Sequence, residues 1–191
     1  MKIGLYFGSF NPIHIGHLII ANHVANFTDV DQVWLVISPQ NPLKPSHHLL
    51  NEYHRLHLVQ KAVEGNKLLK ASDVEFKLPK PSYTIDTLIY LQEKYPLHDF
   101  NIVMGSDSFL NINNWKNAQI LLANYPFIVY NRPGFSVNNS INVKKGLKIL
   151  DAPLLEISAT AIRSRIKDGK SIQYLVSDIV NHEIIENGYY K

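Results

Sequence analysis

What most restricts the fold of this chain is a repeated alternation of short apolar runs with stretches of helical spacing. Residues 1–7 form an apolar run of strand length, and residues 18–25 continue with helical periodicity. A second apolar run, 32–38, precedes a helix over 51–64, where Leu56, Val59, Ala62 and Val63 share a face and Gly65 supplies the stop. Residues 68–71 and 74–76 are short strand candidates, and Ser82-Tyr83-Thr84 opens a helix over 85–95 that ends before Pro96. Residues 100–105 read as a strand, with Ser106-Asp107-Ser108 as caps for a short helix, then a helix around 114–123 and a strand at 127–130. Prolines 39, 42 and 45 make the stretch after the second strand irregular, and 135–148 reads as a surface excursion. The predicted last strand is 154–157, and 172–185 carries an apolar helical period. Strands separated by crossover helices predict an α/β fold: a Rossmann-like, doubly wound, mainly parallel sheet with helices on both faces. Ligands of such sheets bind at the carboxyl ends of the strands. Polar clusters at 8–17, 105–107 and 158–163 each follow a predicted strand.

A length of 191 residues, 46% of them hydrophobic, is enough for a real core in one domain over 1–191, with a C-terminal helical segment, about 161–188, packed on it. The formal charge of +3 comes from scattered Lys and Arg, which is not the dense basic patch of a nucleic-acid binder. The chain has no cysteine, which excludes a disulfide framework, a thiolate nucleophile and a Cys-based zinc site. The first apolar stretch is broken by Gly8 and Pro12, too short for a signal-peptide core or a membrane span, so a cytoplasmic protein without membrane contact is expected.

The turn Gly8-Ser9-Phe10-Asn11-Pro12-Ile13-His14-Ile15-Gly16-His17 joins the first strand to the first helix. A strand, a small-residue turn and a helix start present backbone N–H groups and the positive dipole end to an anion. The dinucleotide fingerprint Gly-x-Gly-x-x-Gly and the P-loop pattern are both absent. His14 and His17 fit either phosphate contacts or a metal pair, and the further ligands a metal would need are not evident. Asp107 can be a helix cap or a ribose-hydroxyl contact, and Ser158 and Thr160 are ordinary caps. Arg163, one turn into its helix, suits a phosphate clamp. His47-His48 and the pair His54 and His57 come without evident carboxylate or thiolate partners, so a solvated loop and helix face account for them.

The first turn resembles the Gly-x-Phe-x-Pro-x-His-x-Gly-His signature of the nucleotidyltransferase superfamily, and Ile157-Ser158-Ala159-Thr160-Ala161-Ile162-Arg163 is similar to its Ile-Ser-x-Thr-x-Ile-Arg signature. Within that superfamily the chain looks most like the bacterial nicotinate-mononucleotide adenylyltransferases, nearly end to end. Asn41-Pro42-Leu43-Lys44, Arg55, Pro81-Ser82-Tyr83-Thr84 with Thr87, Gly105-Ser106-Asp107, Trp115 and Arg132-Pro133-Gly134 support this, as does His14, where pantetheine-phosphate adenylyltransferases usually carry Thr. Asn11 stands where relatives often have Asp, and Asn41–Lys44 departs from the usual Pro-Pro-His-Lys loop.

The resemblance implies adenylyl transfer from ATP to nicotinate mononucleotide, giving deamido-NAD and pyrophosphate. His14, His17 and Arg163 would be catalytic. ATP would be held by Gly8, Ser9, Phe10, Gly16, Ser158, Thr160 and Ile162. The pyridine nucleotide would be held by Lys44, Tyr83, Thr84, Gly105, Asp107 and Trp115, with Trp115 stacking near the ring. Mg2+ would arrive with ATP, without a protein metal site. The rival readings are another nucleotidyltransferase, acting on nicotinamide mononucleotide, pantetheine phosphate or a cytidylyl acceptor, and a nucleotide-binding module without turnover. A homo-oligomer is compatible with the sequence.

Overall fold

In the computed structural model, residues 1–40, 49–137, 141–153 and 155–191 are described. Six strands, β1 (Lys2–Gly8), β2 (Gln32–Ile37), β3 (Leu69–Ser72), β4 (Asp99–Gly105), β5 (Phe127–Tyr130) and β6 (Leu147–Leu150), form one sheet in the order β3-β2-β1-β4-β5-β6. Every neighbouring pair is parallel, with Leu5 of β1 level with Trp34 on one side and Ile102 on the other. The helices are α1 (Ile15–Phe27), α2 (Glu52–Val63), α3 (Thr84–Lys94), α4 (Ser106–Leu110), α5 (Ala118–Asn124), α6 (Ala159–Lys167) and α7 (Asp178–Glu186). The chain winds outward from β1 to β3, then crosses to β4 and winds the other way, so the switch in direction falls between β1 and β4.

Pleating sorts the apolar residues to two sides. Val33, Leu35 and Ile37 of β2 face α1, α2, α6 and α7, in a core with Ile20, Val24, Leu58, Ile162 and Val180. Trp34 and Val36, with Ile3, Leu5, Ile102 and Met104, face α3 to α5 and pack with Leu88, Phe109 and Leu121. Runs apolar at every position are what a sheet covered on both faces requires. Gly4 is small for a reason of packing: a Cβ there would lie 3.1 Å from a Val103 methyl.

Several expectations need correction. Among the described residues the last strand is Leu147–Leu150, and 155–157, expected within a strand, are irregular; Leu155 is exposed, and the 158–163 cluster follows this irregular stretch instead of a strand. The stretch 135–148 therefore holds the start of an edge strand. Residues 74–76 lie in a single 3-10 turn, Val74–Lys77, and the expected helix at 114–123 is a 3-10 turn, Ile112–Asn114, followed by α5. The final helix starts at Asp178: Ile172 and Val176 are core residues on irregular chain, with Tyr174 between them at φ 67°. Among the described residues no helix is long and apolar enough to cross a membrane.

Candidate active site

Beyond the end of β1, Gly8 leads into a turn in which Phe10 takes a positive φ of 43° and folds its ring back over Gly8. A Cβ at Gly8 would meet that ring at 2.8 Å, so this glycine makes room for Phe10. The Phe10 ring then stands edge-on to Tyr6 and, with centroids 5.1 Å apart, to His17. His14 is the N-cap of α1, and its backbone N–H donates to His17 Nδ1 at 3.3 Å. The two imidazoles are stacked, with centroids 3.6 Å apart. Gly16 leaves space for them, since a Cβ there would be 3.2 Å from the His14 ring.

The contact to His17 bears on its tautomer. His17 Nδ1 accepts, so the neutral ring carries its proton on Nε2. His14 Nδ1 is buried without a hydrogen-bond partner, so this ring nitrogen is unsatisfied in either tautomer. Burial, and then the positive charge of Arg132, lowers the His14 pKa from 6.5 to about 4. At neutral pH His14 is a neutral donor, not an imidazolium.

Arg132 enters from the end of β5, and its backbone N–H donates to Ser106 Oγ at 2.9 Å. Its Nη2 donates to Tyr130 Oη at 3.2 Å, and its Nε lies 3.4 Å from Asp107 Oδ1. The Tyr130 and Tyr6 hydroxyls are 3.2 Å apart, and burial keeps the Tyr6 phenol protonated. Gly105 faces this ion pair, and a Cβ on it would meet Asp107 Oδ1 at 2.4 Å and Arg132 Nε at 2.9 Å. Asp107 therefore pairs with Arg132 and does not cap α4, whose N-cap is Gly105.

From the opposite side, α6 reaches the same turn. Ser158 is its N-cap, accepting from Ala161 N at 3.1 Å. Arg163 donates through Nη1 to the Asn11 carbonyl at 2.8 Å and through Nη2 to Thr160 Oγ1 at 3.2 Å. Ile162 points into the core and its N–H is spent on the Ser158 carbonyl, so it anchors the helix. The N–H of Ile15, the first of α1, is also taken, by the Leu175 carbonyl at 2.9 Å. The structure thus gathers His14, His17, Phe10, Thr160 and Arg163 around one turn, with Gly105, Asp107 and Arg132 beside it.

Tyr83 and Thr84 form a second group, at the N-terminus of α3, which has no side-chain cap. Lys116 lies 4.7 Å above the Tyr83 ring and pairs with Asp86, which brings the Trp115 segment alongside. Trp115 is half-buried against the α3–α5 core. Lys44, His47 and His48 lie outside the described residues. His54 meets the Tyr189 hydroxyl at 3.0 Å and His57 meets Glu183 at 3.1 Å, so both serve packing between α2 and the C-terminal segment. Among the described residues no group of three or more His, Asp or Glu could hold a metal ion.

Sequence reasoning passed over one organising residue. Arg55 of α2 is fully buried, 0% exposed, and donates to four backbone carbonyls: Ser9, Leu50, Ser38 and Pro39. It ties the turn after β1 to the turn after β2. Asn11 Oδ1 adds a bond from Leu50 N at 3.1 Å. Arg132 and Tyr130 likewise carry no sequence signal of their place in the site, beyond the position of Arg132-Pro133-Gly134, like that of Arg55, among the residues that carry the resemblance.

Residues 5–165 match the cytidylyltransferase-like family model. A protein of Cytophaga hutchinsonii named "Probable nicotinate-nucleotide adenylyltransferase" is 52% identical over 190 residues, covering 100% of this chain and 98% of the relative. A Flavobacterium johnsoniae protein of the same name is 49% identical, covering 100% of both chains. The solved structure of Plasmodium falciparum nicotinic acid mononucleotide adenylyltransferase complexed with NaAD superposes with a TM-score of 0.84 at 23% identity, covering 99% of this chain and 97% of that one, and so shares the fold. Parallel strands with their polar residues gathered at the carboxyl ends, both signatures at the same turn, and full-length identity of this degree make this chain a member of the nicotinate-nucleotide adenylyltransferase family, within the cytidylyltransferase-like proteins.

Proposed function

We infer that the protein transfers the adenylyl group of ATP to nicotinate mononucleotide, forming deamido-NAD and pyrophosphate in NAD biosynthesis, and that it does so in the cytoplasm. The observation that carries the site assignment is the bond from Arg163 to the Asn11 carbonyl, which sets the α6 guanidinium on the turn that holds the stacked histidines. A phosphate oxygen of the mononucleotide attacks the α-phosphorus of ATP; the new P–O bond forms as the bond to the β-phosphate oxygen breaks, and pyrophosphate leaves. The acceptor is its own nucleophile, so the protein has only to align two anions and neutralise the charge that develops.

His14 and His17, the latter with its proton on Nε2, donate to ATP phosphate oxygens without the solvent rearrangement a mobile donor would need. Arg163, with Thr160 and Ser158, takes the β- and γ-phosphates. Arg132 adds positive potential beside His14. Magnesium would be delivered with ATP, where it would neutralise phosphate charge. Tyr83 and Thr84, at the uncapped start of α3, receive the pyridine carboxylate, and Trp115 lies beside the ring. Lys44, Asp107 and Gly105 complete the nucleotide contacts.

The test is a side-by-side pyrophosphate-release assay with ATP and either nicotinate or nicotinamide mononucleotide. A clear preference for the nicotinate form is expected. Preference for a non-pyridine acceptor, or ATP binding without turnover on any acceptor, would overturn the reading.

A further inference from the structure

Among the described residues the most deeply enclosed carboxyl group is that of Glu75, in the 3-10 turn between β3 and α3. It is 2% exposed, and among the described residues no ion pair neutralises it. Hydroxyls surround it instead. Ser82 Oγ donates to Oε2 at 2.6 Å and Thr87 Oγ1 lies 3.0 Å from Oε1, while the Ser38 hydroxyl at the end of β2 makes a third bond. Ser82 and Thr87 are themselves buried. Burial raises the carboxyl pKa, and the three hydroxyls offset only part of that rise.

A buried carboxylate serves poorly as core filling, and three donors aimed at it are a better reason for its presence. Ser82 and Thr87 flank Tyr83 and Thr84. Thr87 Oγ1 also lies 3.2 Å from the Tyr83 carbonyl, which accepts the backbone N–H groups of Asp86 and Thr87 as well. Glu75 thus grips both sides of the uncapped start of α3. Ser38 extends this grip to the phosphate side, because its N–H donates to the Gly8 carbonyl and its own carbonyl accepts from Arg55.

We propose that Glu75 is a positioning residue for the acceptor: through Ser82, Thr87 and Ser38 it fixes the Tyr83–Thr84 backbone relative to the phosphate-binding turn, and so sets the preference for nicotinate over nicotinamide mononucleotide. The inference rests on the acceptor assignment made above. Gln at this position has a single acceptor oxygen and cannot take all three hydroxyls as a carboxylate does.

The experiment measures KM for ATP and kcat/KM for both mononucleotides in wild type, Glu75→Gln, Thr87→Val and Thr87→Ser. For Glu75→Gln and Thr87→Val the KM for nicotinate mononucleotide should rise about 10-fold, with a matching loss of discrimination, while the KM for ATP stays within about twofold. Thr87→Ser keeps the hydroxyl and should restore wild-type discrimination. Equal losses with both acceptors, or unchanged KM and discrimination in folded Glu75→Gln, would overturn the proposal alone. A wild-type protein with no preference for a pyridine acceptor would instead overturn the acceptor assignment, and the proposal with it.

Discussion

His14 shows how one residue's environment decides its chemistry. A histidine at a phosphate site invites the idea of a cation, yet burial and Arg132 keep this ring neutral. The unliganded protein should therefore show a His14 ring titration by NMR with a midpoint near 4; a midpoint near 6.5 would refute the neutral-donor assignment. The folded-state pKa is depressed below the unfolded value, so the unfolded chain binds the proton more readily as pH falls. Stability from this group is complete above pH 6.5 and declines as pH falls towards 4, by about 3 kcal/mol in all. Urea unfolding of wild type beside His14→Asn, across that window, should show the decline in wild type and lose this part of it in the variant.

Between elements, Arg55 joins what the backbone leaves separate. Its guanidinium gathers carbonyls from the ends of β1 and β2 and from the residue before α2's N-cap. Arg55→Ala should cost about 3 kcal/mol or more in urea unfolding, since it strands buried carbonyls. Arg55→Lys should recover little, having one nitrogen where the site uses three; near-wild-type stability of the lysine variant would show that the fork geometry is unimportant. Nothing in the sequence marked Arg55 as buried, because a lone Arg on an amphipathic helix reads as solvated. The elements that were legible owe it to two-sided burial: β1, β2, β4 and β5 are apolar at nearly every position. At the sheet edge, β6 is half-exposed and held by its ladder to β5, so its sequence carries no apolar run. Residues 154–157 do carry one, yet Leu155 stays in solvent. Ile172 and Val176 keep a helical period while packing from irregular chain, which periodicity cannot distinguish from a helix.

Across the whole molecule, the strand order puts the reversal of winding between β1 and β4, and the candidate site collects at the carboxyl ends on either side of it. Residues distant in sequence meet there: His14 and His17 from the first turn, Arg132 from the end of β5, and Arg163 from α6, returned by the last helices to the Asn11 carbonyl. The two signatures made the first and last of these legible from sequence. The Asp107–Arg132–Tyr130–Tyr6 network was not, since each residue is unremarkable until the sheet sets β1, β4 and β5 side by side. The central claim is that this turn stabilises the transition state of adenylyl transfer. Its most direct test is kcat for pyrophosphate release by His17→Ala, with saturating ATP and nicotinate mononucleotide and folding checked by circular dichroism. Loss of the donor should lower kcat by about 100-fold, corresponding to roughly 3 kcal/mol of transition-state stabilisation; a folded variant that turns over at the wild-type rate would contradict the assignment.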